Sequence, residues 1–225
     1  MGIVLFGQLR TAALAAILDI RMPTTREHWE KVYATKSPTQ VSWYQPHPGL
    51  SLRLIRSVTP GVSASVLDVG GGASLLVDAL LSAGYFDVTV LDISQTALDR
   101  SRERLGQIAD NVSWIAADVT QWRPPRTWDV WHDRAVFHFL TVTEDQDAYI
   151  AALKIATHTG SVVVISTFAL DGPEHCSGLP VQRYDAASLA ARMGAEFDSV
   201  SEALEAHMTP WGSTQSFAYA LLRRR

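Results

Sequence analysis

A chain of 225 residues with 47% hydrophobic content is long enough to bury one α/β core, and no polar low-complexity tract marks it as disordered. A formal net charge of −4 argues against a stand-alone nucleic-acid binder, since the one basic run, Arg223-Arg224-Arg225, reads as a solvated tail. The single cysteine, Cys176, excludes an intramolecular disulfide and a cysteine-rich zinc site, and it fits a reducing cytoplasm.

The first twenty residues, "MGIVLFGQLRTAALAAILDI", are apolar but broken by Gln8-Leu9-Arg10. They read as an extra N-terminal helix or as sequence ahead of a true start at Met22. A membrane span would be less broken, and a signal peptide would carry its charge before the apolar core. Next, "REHWEKVY" has a capping-box start in Thr24 and Glu27 and an aromatic face in Trp29 and Tyr33. Residues 1–63 are taken as a helical segment or lid, and 64–225 as the main domain of one structural unit.

From about residue 64, strand-like and helix-like blocks alternate, the pattern of βαβ units with a parallel sheet. Strands are predicted at 65–69, 87–92, 112–118, 128–133 and 161–168. Helices are predicted at 74–84 (leucines at helical spacing, closed by Gly84), 94–107 (opened by the N-cap Ser94) and 145–160 (closed by Gly160). A short helix follows at 185–193. Two last strands, about 196–203 and 215–223, flank "HMTPWGST". Five βα units followed by a terminal hairpin give a doubly wound, mainly parallel α/β sheet.

The stretch "VLDVGGGASLL", 66–76, runs from an apolar strand through an aspartate into three glycines. Glycines there let the backbone approach a ligand, and the next helix offers free N–H groups. Asp92, at the end of strand two, can accept hydrogen bonds from both ribose hydroxyls, a pattern shared with dinucleotide folds. Two details separate the readings. Leu75 stands where the dinucleotide fingerprint wants its third glycine. Asp68 would repel a pyrophosphate but attract the α-ammonium of a methionine moiety. Asp118, ending strand three, can accept from an adenine amino group.

These residues carry a resemblance. "VLDVGGGAS…VTVLDIS…IAADVT…WDVWHDRAVFHFL" resembles the motif series of the class I S-adenosylmethionine (SAM)-dependent methyltransferases, over roughly 64–223. The resemblance implies a seven-stranded Rossmann-like sheet in three layers, with the last strand antiparallel. It implies that Asp68, Gly70, Gly71 and Gly72 hold the methionine part, that Asp92 with Ile93 takes the ribose side, and that Asp118 with Val119 faces the adenine. Ser74 departs mildly from the family's glycine pattern. The N-terminal "HWEKVYATKSPTQVSWYQPHPGL" is similar to a subgroup of small bacterial type 12-like enzymes, some of whose relatives methylate protein lysines. Those relatives often end strand four in Asp-Lys-Gly-Thr, where this chain has His132-Asp133-Arg134-Ala135.

Methyl transfer from a sulfonium needs positioning, exclusion of water and at most a base for the acceptor's proton. His138, His132 and Asp133 are the candidate catalytic groups. His138 reads equally as a buried structural histidine. Asp133 can orient an amine acceptor, hold the SAM amino group or cap the following turn. Trp29, Tyr33, Trp43 and Tyr44 read as a lid, with Tyr33 near the methionine carboxylate, or as plain packing. In this family His207, Thr209, Trp211 and Gln215 lie close to the acceptor pocket. The absence of an Asn/Asp-Pro-Pro-Tyr run and of a catechol-type metal set leaves a small molecule or a protein side chain as acceptor, methylated at O or N. A catalytically silent SAM-binding module and a nicotinamide-dependent oxidoreductase stay open as alternatives.

Overall fold

The computed structural model describes residues 25–59 and 61–225, so the expectations for residues 1–21 and for the cap at Thr24 fall outside the described residues. Two helices come first, α1 (Thr25–Thr35) and α2 (Gly49–Val58). The alternating part then runs β1 (Val66–Val69), α3 (Leu76–Ser82), β2 (Val88–Asp92), α4 (Gln95–Leu105), β3 (Val112–Ala116), β4 (Trp128–Arg134), α5 (Thr143–Ala156) and β5 (Thr157–Phe168). It closes with a small hairpin, β6 (His175–Cys176) and β7 (Leu179–Pro180), then α6 (Ala186–Met193), β8 (Phe197–Met208) and β9 (Thr214–Arg224).

The main sheet has seven strands in the order β3-β2-β1-β4-β5-β9-β8. Strands β1 to β5 pair in parallel, and β9 runs antiparallel to both of its neighbours. The sheet class, the switch between β1 and β4 and the antiparallel last strand all match the expected fold. Every residue of β1 and β2 is buried, which is why these strands read as apolar runs interrupted only by Asp68, Thr89 and Asp92.

Side-chain alternation then sorts the core. Leu67, Val69, Trp131, Val163 and Ile165 face α5 and α6, whereas Val66, Val88, Val130 and Val164 face the layer of α2 and α3. This parity decides the fate of the acidic residues at the strand ends.

Two differences from the sequence reading matter most. Helix α5 stops at Ala156 and β5 begins at once, because Thr157 bonds its hydroxyl back to the Leu153 carbonyl and pairs with Trp128. Gly160 lies inside β5 with φ +93° and does not cap the helix. No helix separates β3 from β4; the crossing is a turn capped by the Asp118 carboxylate, followed by Pro124-Pro125. Among the described residues no helix is long and apolar enough to cross a membrane.

Candidate active site

The C-terminal ends of β1, β2 and β4 open onto a cavity with two lobes that meet at Tyr33, Trp43, Val69, Gly70 and Arg134. The lobes measure about 630 and 790 Å3, open space at the mouth included. The glycine turn forms the floor between them. Gly70 adopts φ +68°, and a Cβ there would strike Val136. A Cβ on Gly72 would come within 2.5 Å of Asp92 Oδ2. A side chain would therefore collide with the turn after β4 at Gly70 and fill the space in front of the Asp92 carboxylate at Gly72. Helix α4 clamps the turn from outside, with Ser101 Oγ donating to the Gly72 carbonyl at 2.6 Å and Arg104 to the carbonyls of Ala73 and Ser74.

Asp68 and His132 sit opposite each other in the β1–β4 register and share one face of the sheet. His132 Nδ1 therefore lies 2.7 Å from Asp68 Oδ1, and its Nε2 lies 2.9 Å from Ser51 Oγ, which α2 carries onto that face. Both ring nitrogens are engaged and the ring is 3% exposed, so His132 fixes Asp68 and has no nitrogen left for an acceptor. Ser51 is a contributor that nothing in the local sequence marked.

Asp92 is buried, and its Oδ1 accepts the Ser94 N–H at 2.8 Å. Burial pushes its pKa up to about 7, helped by the charges of Asp68 and Glu30. Such a carboxylate lacks donors, which ribose hydroxyls would supply. Ile93, Asp118 and Val119 complete this end of the cavity.

The lid residues converge. Trp29 and Tyr33 of α1 meet Trp43 and Phe139, with Trp29 ring centroids 5.0 Å from Phe139 and 5.7 Å from Trp43. Glu30 anchors α1 by accepting from Ser94 Oγ and from the N–H groups of Gln95 and Thr96 at the N-terminus of α4. Tyr33 lines both lobes, with its phenol raised by burial and by the nearby Asp92. Tyr44 lines the lobe that holds Asp68 and His132.

Two candidate catalytic groups do not reach the cavity wall. Asp133 shares the parity of Trp131 and so points under α5, where Val136 N–H, Phe137 N–H and Tyr149 O–H all donate to it. It is fully buried, with its pKa raised to about 6 by desolvation, and it caps the turn after β4; it touches neither acceptor nor cofactor space. His138 is enclosed between Phe139 and Phe168, with Nε2 unpartnered and its pKa lowered to about 3 by burial and by the Arg134 charge. The bland readings, a capping carboxylate and a core histidine, describe both. Likewise His207, Thr209, Trp211 and Gln215 are not among the residues lining the cavity. His207 bonds to the Ser42 carbonyl at 2.6 Å, Thr209 closes the β8–β9 turn, and Trp211 is 61% exposed.

Arg134, which was not among the predicted site residues, lines both lobes. Its guanidinium lies 3.0 Å from Glu205 and from the Tyr219 hydroxyl and 4.1 Å over the Phe217 ring, and Gln45 holds the other oxygen of Glu205. The next residue, Ala135, is held at φ +75°, a left-handed conformation that alanine rarely adopts. Among the described residues, no cluster of metal-ligating side chains is present.

Comparison with known proteins agrees with this geometry. Residues 66–160 match the family of methyltransferase domains. The chain is 26% identical over 140 residues to the mouse eEF1A lysine and N-terminal methyltransferase, an alignment covering 62% of this chain and 20% of that protein. It thus spans about a fifth of the length of the first curated relatives it matches. Among solved structures, a SAM-dependent methyltransferase from Anabaena variabilis superposes with a TM-score of 0.68 at 16% identity, covering 90% of this chain and 96% of that one. The 1,6-didemethyltoxoflavin-N1-methyltransferase of Burkholderia thailandensis, solved with S-adenosylhomocysteine, gives 0.66 at 18% identity, over 98% and 93% of the two chains. The fold, the family match and Leu75 together remove the oxidoreductase alternative.

Proposed function

We propose that this chain, which belongs to the class I SAM-dependent methyltransferases, transfers a methyl group from SAM to a small-molecule or protein side-chain acceptor. The observation that carries the reading is the row of carboxylates at the ends of β1, β2 and β3, ordered across the sheet beside one glycine turn. In this reading Asp68, Gly70, Gly71 and Gly72 hold the methionine part, Asp92 the ribose, and Ile93, Asp118 and Val119 the adenine. SAM bound there supplies an electrophilic methyl group.

The chain's own residues then bind, orient and exclude water. His132, held between Asp68 and Ser51, keeps the Asp68 carboxylate aimed as a positioning residue. Tyr33, Trp29 and Trp43 cover the cavity, so α1 and the loop between it and α2 act as a lid on the domain that follows. Asp133 shapes the floor by fixing the turn that carries Val136. Position and dryness supply the rate, since no free base lines the cavity among the described residues. The lone, buried Cys176 suits a cytoplasmic setting. Isothermal titration with S-adenosylhomocysteine tests the reading: saturable one-to-one binding supports it, and binding of NADH in its place ends it.

A further inference from the structure

Resting on that reading, we propose that Ser51 is a positioning residue for the cofactor's α-ammonium group, acting through the hydrogen bond it donates to His132. Ser51 and Ile55, one helical turn apart, are the buried residues of α2, so a hydroxyl stands where helix packing alone calls for an apolar side chain. Ser51 is 2% exposed, and its Oγ lies 2.9 Å from His132 Nε2. Three elements meet in this buried line: α2 brings Ser51, β4 brings His132 and β1 brings Asp68.

The hydrogens along that line are few enough to place. The Ser51 hydroxyl has one to give. Tyr219, which also neighbours it, already accepts from Arg134 Nε at 3.0 Å and donates to Glu205 at 3.1 Å, which leaves Nε2 as the open acceptor. With Nε2 accepting, the neutral ring carries its hydrogen on Nδ1 and donates it to Asp68 Oδ1 at 2.7 Å.

That tautomer serves an ammonium in two ways. It ties down Oδ1 and leaves Oδ2 presented over the glycine turn, where a Cβ on Gly71 would strike it. It also keeps a net negative charge on the Asp68–His132 pair, which an imidazolium would cancel. An ammonium entering a site this dry loses its hydration and needs that charge in return. The opposite tautomer would turn the bare Nδ1 lone pair on the carboxylate and push it out of line. Ser51 therefore makes α2 part of the selection for an amino-acid ligand, although it acts through His132 and Asp68.

The experiment has one arm without ligand and one with it, both on the whole chain. In the empty protein, long-range nitrogen–proton correlation spectra read the tautomer of His132, whose signal is assigned by its loss in His132→Asn. Hydrogen on Nδ1 is expected in the natural sequence, and its displacement in Ser51→Ala. In the second arm the protein is titrated with S-adenosylhomocysteine and with the analogue that lacks the α-amino group. Failure of S-adenosylhomocysteine to bind the natural sequence removes the methyltransferase reading, and this proposal with it. Ser51→Ala is expected to weaken S-adenosylhomocysteine about tenfold and the des-amino analogue by no more than about twofold. Ser51→Thr, which keeps the hydroxyl, is expected to restore S-adenosylhomocysteine affinity to within about threefold. With S-adenosylhomocysteine binding intact, three results would each overturn the role of Ser51 alone. These are equal weakening of both ligands in Ser51→Ala, unchanged S-adenosylhomocysteine affinity in that variant, and a natural His132 that is an imidazolium or carries its hydrogen on Nε2.

Discussion

The two ends of the cavity are made of different material. The end under β1, β2 and β3 is a row of acids: Asp68 and Asp92 lie on fully buried strands, and Asp118 follows β3 by two residues. The aromatic wall that faces Asp92 and Asp118 in the same lobe is assembled from α1, the loop before α2, the turn after β4 and the β6–β7 hairpin. Neighbouring residues of β4 show how sharply the boundary is drawn. His132 faces Asp68 and the cavity, whereas Asp133, one residue on, faces α5. A polar residue at a strand end serves the ligand or the fold according to parity alone.

The largest test of that contrast is Asp133→Ala. It would leave two buried N–H groups and the Tyr149 hydroxyl without their acceptor, and we expect a loss of about 3 kcal/mol. In a chain of this size that lowers the melting temperature by roughly 6–12 °C. S-adenosylhomocysteine affinity of the folded protein should stay within about threefold, as read by titration well below the transition. A large affinity loss with unchanged melting would place Asp133 in the site after all.

Asp92→Ala is the mirror image. Losing hydrogen bonds to a charged acceptor should weaken S-adenosylhomocysteine at least about tenfold, equivalent to roughly 1.5–3 kcal/mol. The melting temperature of the empty protein should hold or rise, since a desolvated carboxylate near pKa 7 costs stability when ionised at pH 7. The sign follows from linkage. The raised pKa means that this group's contribution to stability is present below about pH 4 and is lost as pH climbs through about 7. Unaltered affinity would break the assignment of the ribose.

How much of this was legible in the chain follows the same line. Asp68, Gly70, Gly72 and Asp92 act within three residues of a strand end, so their chemistry survives in a linear reading. The fold was legible for a related reason, since buried parallel strands leave apolar runs. The partners of those residues were not. His132 needs Ser51 from α2, eighty-one positions away, and Arg134 needs Glu205 and Tyr219 from β8 and β9. Misplacing the α5–β5 boundary had a local cause: Gly160 looks like a cap, yet the β-branched Thr157 and Thr159 prefer the strand. Parity was visible in "WDVWHD", but which face holds the ligand depends on which helix covers it.

A smaller effect is pH dependence of ligand binding. An ionised Asp92 is the better acceptor for ribose hydroxyls, and in the empty site it protonates near pH 7. Affinity for S-adenosylhomocysteine should therefore fall as pH drops below about 7, by up to about tenfold per unit until the bound-state pKa is reached. Titration from pH 7.5 to 5.5 reads this slope, and Asp92→Asn should flatten it. A slope that persists in the variant would assign the proton to another group.

The smallest effect probes the seam between the two ends. Ala135 holds φ +75° next to Arg134, and both line the lobe that holds Asp92 and Asp118. A left-handed alanine costs about 1–2 kcal/mol, while glycine there costs about 0.5–1 kcal/mol in unfolded-state freedom. Ala135→Gly should thus stabilise the protein by about 0.5 kcal/mol in a denaturant titration. If the strain serves to aim Arg134 and Val136 into the lobe, the relaxed variant should also bind S-adenosylhomocysteine more weakly. Unchanged affinity would mean that the strain serves the turn alone. Loss of stability would mean that the methyl group packs more than its backbone strains.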